Sequence, residues 1–261
     1  MRRRTYRRTM TQTRKLSPTV EIPLLGFGTY LIPNAETAAA VTAALKAGYR
    51  HIDTAEFYAN EDGVGAGLRA ANVERKEVFI TTKLWPGNAA WGQTPKTTET
   101  TLAALNTSLA NLKLDYVDLY LIHAPFEKEQ RLAQWRALVE LKKQGKTRSI
   151  GVSNFNIHHL EEFKAAGLPQ PEANQIELHP WSQKPELVGY LDKHGIVPIA
   201  YSSLVPLSTW RTAPGHASGK TDAMKQENET APFKALAKKY GKSESQVLLR
   251  WAVQRLSLIH I

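Results

Sequence analysis

Short runs of apolar and β-branched residues alternate along this chain with longer stretches whose apolar positions recur every three or four residues. The runs are Leu24 to Gly28, Tyr49 to Asp53, Val78 to Lys83, Val117 to His123, Ser149 to Ser153, Ala173 to Glu177 and Val197 to Tyr201. Each is five to seven residues long and reads as a strand buried on both faces, the pattern of a parallel sheet. The stretches between them read as amphipathic helices. Leu102, Leu105, Leu109 and Leu112 form one apolar stripe, and Leu132, Trp135, Leu138 and Val139 form another that ends at Gly145. Asn34 is expected to cap a helix running through Thr37, Val41 and Leu45 to a terminating Gly48, and a further helix is expected over Ser243 to Arg255.

Strands alternating with helices build βα units, and seven such units either close toward a barrel or open into a doubly wound sheet. An open dinucleotide-binding sheet carries G-x-G-x-x-G after its first strand. Here Gly26-Phe-Gly28 is followed by Thr29, Tyr30 and Leu31, and Gly63-Val-Gly65-Ala-Gly67 has the wrong spacing. The expectation is therefore an α/β fold of the TIM-type (β/α)8 barrel, incomplete at seven units, with a hairpin-like lead-in before the first. In such a barrel the C-terminal strand ends face the active site. Those ends carry Asp53, Lys83, His123, Ser153, Asn154, Gln175, Glu177 and Tyr201, nearly all polar and chemically competent.

Composition narrows the picture. The 261 residues contain no cysteine, which excludes disulfides, thiolate catalysis and Cys-ligated metal, and there is no apolar run of membrane-spanning length. A net charge of +10 suggests nucleic acid, but Arg2, Arg3, Arg4, Arg7, Arg8, Arg14 and Lys15 all precede the first acid, Glu21. Without those seven, 27 basic residues face 24 acids, an ordinary balance that calls for no nucleic-acid partner. Residues 1–16 are expected to be a disordered basic extension: a transit peptide, a nucleic-acid-binding arm, or translated sequence ahead of a start at Met10. Residues 17–255 are expected to form the barrel domain. Leu256 to Ile261 resembles the in-frame translation of a transposase adapter and is expected to be a non-native tail, with a short apolar C-terminal strand as the alternative. His158-His159 lacks a third ligand at metal-binding spacing, and the glycosylation patterns at Asn106 and Asn228 have no secretory context, so no metal or glycan is expected.

Several motifs, taken together, point to one family. Gly48-Tyr-Arg-His-Ile-Asp-Thr-Ala55 with Tyr58, Thr81-Thr-Lys-Leu84, Asp118-Leu-Tyr-Leu-Ile-His123, Gly151-Val-Ser-Asn-Phe155, Asn174-Gln175 and Ala200-Tyr-Ser202 occur in this order, and over about residues 20–255 the chain resembles the aldo-keto reductase superfamily. The resemblance places a catalytic tetrad on Asp53, Tyr58, Lys83 and His123. Chemistry explains those residue types. Hydride transfer to a carbonyl leaves negative charge on oxygen, which needs a proton donor, and a tyrosine of pKa near 10 is poorly matched to neutral pH. A lysine ammonium about 4 Å away is expected to acidify Tyr58, with Asp53 keeping Lys83 charged and His123 orienting the carbonyl oxygen.

The same resemblance implies a nicotinamide dinucleotide, NADPH with NADH as the alternative. Ser153, Asn154 and Gln175 would hold its carboxamide, Tyr201 would stack on its ring, and Ser202 and Leu204 would approach the pyrophosphate. Ser203 stands where the family commonly has proline, a departure expected to loosen that turn. The segment Leu204 to Thr230, with Trp210, resembles the family's cofactor-covering loop, and the family's 2′-phosphate contacts lie on and beyond an eighth strand. Tyr30, Trp85, Trp91 and Phe126 follow strand ends and are expected to line a substrate pocket. Ala124-Pro125 lacks a bulky aromatic found there in several members, which implies a roomier site. The expected activity is reduction of aldehydes or ketones to alcohols by a cytoplasmic monomer acting on a small carbonyl compound. The alternatives are a non-catalytic cofactor-sensing subunit and an inactive fragment of the reductase.

Overall fold

The structure, a computed structural model, describes residues 12–207, 232–256 and 259–260. The chain opens with an antiparallel hairpin of β1 (Thr13–Ser17) and β2 (Val20–Pro23). The lead-in thus starts at Thr13, inside the extension expected to be disordered. Its alternating pattern explains the difference: Leu16, Val20 and Ile22 point inward and pack with Phe79, Leu119, Leu121, Ala173, Val197 and Ile199 from the barrel strands. The hairpin therefore gains a buried apolar face that basic composition alone does not reveal.

The seven expected strands follow in order: β3 (Leu25–Gly28), β4 (His51–Asp53), β5 (Phe79–Leu84), β6 (Val117–Ile122), β7 (Thr147–Ser153), β8 (Ala173–Glu177) and β9 (Val197–Tyr201). Each pairs in parallel with the next. The seam between β9 and β3, expected to be open, is bridged by β10 (Ile259–His260). Ile259 lies opposite both Leu25 and Ala200, and His260 lies opposite Gly26, so the barrel closes. The short C-terminal strand considered as the alternative is thus the conformation found, and it covers two sheet edges that would otherwise expose unpaired backbone groups.

The helices α1 (Asn34–Ala47), α2 (Glu61–Ala70), α3 (Thr98–Leu112), α4 (Arg131–Lys143), α5 (Ile157–Ala165), α6 (Pro185–Lys193), α7 (Phe233–Tyr240) and α8 (Glu244–Leu256) surround the sheet. A second core lies between barrel and helices and includes Leu105, Leu109 and Leu112 of α3 and Trp135, Leu138 and Leu141 of α4. Asn34 is not the cap it was expected to be: α1 is preceded by Pro33, and the Asn34 side chain bonds Asp62 Oδ2 (2.9 Å) and the Gly63 N–H (3.2 Å) at the start of α2. The glycines of α2 make that helix a packing surface. A Cβ on Gly65 would sit 2.3 Å from Leu112 O, and one on Gly67 would sit 2.7 Å from Val41 Cβ, so their spacing serves close helix contact rather than phosphate binding.

Candidate active site

Asp53 ends β4, Lys83 is the fifth residue of β5, and His123 follows β6, so parallel pairing brings all three to the C-terminal mouth of the barrel. Tyr58 reaches the same place on a single 3-10 turn, Glu56–Tyr58, just beyond β4. Lys83 and Asp53 are fully buried and form a direct ion pair. The Lys83 ammonium also donates to Thr54 O (2.8 Å) and to the Tyr58 hydroxyl (3.2 Å). The imidazole of His123 lies 5.5 Å from the Tyr58 ring, nearly perpendicular to it. The four residues expected to form a catalytic tetrad are thus gathered at one point.

Their electrostatics differ from expectation in one respect. Burial alone would drive Lys83 toward neutrality, but Asp53 and the Tyr58 hydroxyl outweigh it, so its pKa is raised and the side chain stays cationic. Tyr58 was expected to be acidified. Instead burial is the largest influence and moves its pKa up; Lys83 pulls down, and Asp53, just behind the lysine, pushes up again. The cation's pull on the phenol is opposed in part by its own carboxylate partner. His123 is pushed down to about 3, first by burial and then by Lys83, so its imidazole is neutral at physiological pH. Its Nδ1 is buried and has no hydrogen-bond partner among the described residues.

A cavity of about 620 Å³ opens over this group, lined in part by Tyr58, His123, Ser153, Asn154, Gln175, Tyr201, Ser202 and Leu204. All six residues expected to bind the dinucleotide therefore face one space. They also bond to one another. Tyr201 donates to Asn154 Oδ1 (2.7 Å), Asn154 donates to His123 O (3.0 Å), and Ser153 donates to Gln175 O (3.0 Å). Gln175 departs from a pure ligand role by donating to Asp53 Oδ2 (2.7 Å), which makes it a second holder of the buried carboxylate. Asn154 and Ser202 adopt positive φ values of 63° and 58°, a strained backbone of the kind held at functional sites. Ser203 does not leave its turn unanchored: its hydroxyl donates to Leu178 O (3.4 Å) and Val205 N–H closes on Ser202 O (3.0 Å).

The four residues expected to line a substrate pocket divide. Tyr30 and Trp85 line the cavity, with Tyr30 packed 5.0 Å from the Tyr58 ring. Trp91 and Phe126 stand behind Trp85, at 6.0 and 5.5 Å, as an outer wall. Trp210 and most of the segment Leu204 to Thr230 lie outside the described residues. Sequence reasoning missed Phe57, which stacks on Trp85 at 4.1 Å and lines the cavity. Its place between Glu56 and Tyr58, on the turn that carries the expected proton donor, was the available signal. Gly28, Leu31 and Val205 also line the cavity without a chemical cue in their side chains.

Comparison with known proteins agrees with this geometry. Residues 24–259 match the Aldo/keto reductase family. The chain is 42% identical to a glyoxal reductase of Bacillus subtilis, with 93% of this chain and 79% of that protein covered. It is 39% identical to an NAD(P)H-dependent D-xylose reductase of Candida tropicalis, over 93% and 81%. Among solved structures, a Bombyx mori aldo-keto reductase in complex with NADP superposes with a TM-score of 0.81 at 34% identity, covering 96% of this chain and 82% of that one. The chain belongs to the aldo/keto reductase family. It is an oxidoreductase of carbonyl compounds.

Proposed function

We propose that the chain reduces aldehydes or ketones with NAD(P)H, and that Tyr58 protonates the carbonyl oxygen. One observation carries the assignment: the Tyr58 hydroxyl lies 3.2 Å from a buried lysine, itself paired to a buried aspartate, beside a neutral histidine at one cavity. The lining suits a nicotinamide carboxamide, because the Ser153 hydroxyl and the amides of Asn154 and Gln175 offer both donors and acceptors, and Tyr201 offers an aromatic face. When bound, a reduced nicotinamide dinucleotide supplies the hydride. The protein then has three tasks. His123, uncharged, steers the carbonyl oxygen toward Tyr58 by a hydrogen bond. Tyr58 holds its proton at neutral pH, as its raised pKa requires, until the oxygen gains alkoxide character and becomes far more basic than a phenolate. Lys83 stabilises the phenolate that remains.

Tyr30 and Trp85 form the inner wall of the substrate space, with Trp91 and Phe126 behind them. The named activities of the relatives, on glyoxal and D-xylose, point to small carbonyl compounds. We take the chain to act as a monomer, since the site needs no residue from a second copy to be complete. Among the described residues no helix is long and apolar enough to cross a membrane; a cytoplasmic location is part of the proposal.

Tyr58→Phe tests the donor. It should lower kcat about 10²- to 10⁴-fold while dinucleotide affinity, read by quenching of protein fluorescence, stays within about twofold. Turnover at the level of the unaltered protein would remove Tyr58 from its role.

A further inference from the structure

The wall residue Trp85 is held by a device outside the four catalytic positions. Glu56 begins the turn that carries Tyr58, and its carboxylate faces away from the cavity toward the chain after β5. One oxygen, Oε2, accepts the Trp85 backbone N–H (2.9 Å), and the other, Oε1, accepts from the Lys96 ammonium (2.8 Å). Lys96 in turn donates to Trp85 O (2.8 Å). The two side chains therefore close a ring around the backbone of one residue, gripping both its N–H and its carbonyl. The indole is fixed separately, by Nε1–H to Gln93 Oε1 (2.7 Å) and by stacking on Phe57. Held in this way, the Trp85 ring meets His123 edge to face, 5.5 Å between centroids and 89° between planes.

The Glu56–Lys96 pair is only partly buried, with side-chain exposures of 33% and 20%. A pair in that setting adds little to stability but fixes direction well, because each partner also holds a backbone group. Trp85 lies two residues after Lys83 on the same chain segment, and Glu56 lies two residues before Tyr58. The ring of bonds thus joins the segment bearing the proton donor to the segment bearing the cation and the wall.

We propose that Glu56 and Lys96 are positioning residues that set the seat of Trp85 against His123, and so determine how strongly the site discriminates among carbonyl compounds by the bulk beside the carbonyl. The proposal rests on the reading of Trp85 as inner wall of the substrate space. Neither residue touches substrate; each acts through Trp85.

The experiment compares the unaltered protein with Glu56→Gln, Lys96→Met, Lys96→Arg and the Glu56→Gln/Lys96→Met double variant. The substrates are an aromatic aldehyde, benzaldehyde, and a small one, methylglyoxal. Glu56→Gln and Lys96→Met should each raise KM for benzaldehyde about tenfold, with kcat for methylglyoxal and dinucleotide affinity within about twofold. Lys96→Arg should restore most of the loss, and the double variant should be no worse than the poorer single one, as expected for two parts of one device. Equal changes for both aldehydes, unchanged KM for benzaldehyde, additive losses, or no rescue by arginine would each overturn the proposal. Should Lys96→Met fail to fold, Glu56→Gln keeps the shape of the native side chain and carries the same comparison. Absence of turnover by the unaltered protein on either aldehyde is a separate outcome. It would remove the reductase reading and this proposal with it.

Discussion

Two buried aspartates at opposite ends of the barrel show how one residue type is put to different uses. Asp118, second in β6, sits near the N-terminal end, where its carboxylate accepts from Arg75 (2.7 Å), Arg148 (2.8 Å) and the Ile80 N–H (2.8 Å). Both arginines keep contact with solvent, at 23% and 44% side-chain exposure. Asp53, at the mouth, is paired instead with a lysine that has no solvent contact and whose ammonium also holds a phenol facing a cavity. At the floor the charges are saturated and the arrangement is a lock. At the mouth one donor of the lysine is turned toward a group that can exchange a proton. The proposed chemistry falls where the ion pair is incompletely closed on itself, and the position of polar groups at the upper strand ends agrees with that rule.

Lys83→Met should affect the mouth most. It leaves Asp53 buried without its cation, so stability should fall by about 3–5 kcal/mol, read by urea unfolding, and kcat should fall by at least about 10²-fold. Retained turnover would make the mouth pair as purely structural as the floor pair. Asp118→Asn should cost less, about 1–3 kcal/mol, because the stranded arginines can turn to water; kcat/KM should stay within about twofold. A large loss of activity there would erase the distinction between the two ends. The smallest effect is a pH dependence peculiar to the mouth. His123 has a folded pKa of about 3 against 6.5 for a free imidazole, so below pH 6.5 the unfolded chain binds a proton that the folded chain refuses. Stability should therefore decline with acidity from about pH 6.5 toward 3, by roughly 1 kcal/mol over the first unit. Chemical denaturation of the unaltered protein and of His123→Asn at pH 6.5 and 5.5 measures it; identical losses in both would assign the dependence elsewhere.

The order of strands and the position of the polar strand-end groups could be read from the sequence, because period and run length fix strand identity and parallel pairing then aligns strand ends. Four features resisted. The protonation balance of Tyr58 depends on how far Asp53 compensates Lys83 and how completely water is excluded, and both are properties of the closed site rather than of the residue types. A hairpin-like lead-in was legible, but the start of its first strand, Thr13–Ser17, was hidden by basic composition, since its inward residue Leu16, with Val20 and Ile22, forms a pattern too short to stand out beside the run of cations. Likewise the Asn34 side chain, a natural helix cap by type, found partners on α2 that only the tertiary contact supplies. The grip on Trp85 by Glu56 and Lys96 spans forty residues of sequence and carries no local signature.

The hairpin has an effect at a distance from where it packs. With Leu16, Val20 and Ile22 stoppering the lower end of the barrel, the cavity above Asp53 and Lys83 is a cul-de-sac. Among the described residues, whatever reaches Asp53 and Lys83 must therefore come in past the upper strand ends. A plug on the far side of the molecule thereby fixes the direction of approach to the mouth.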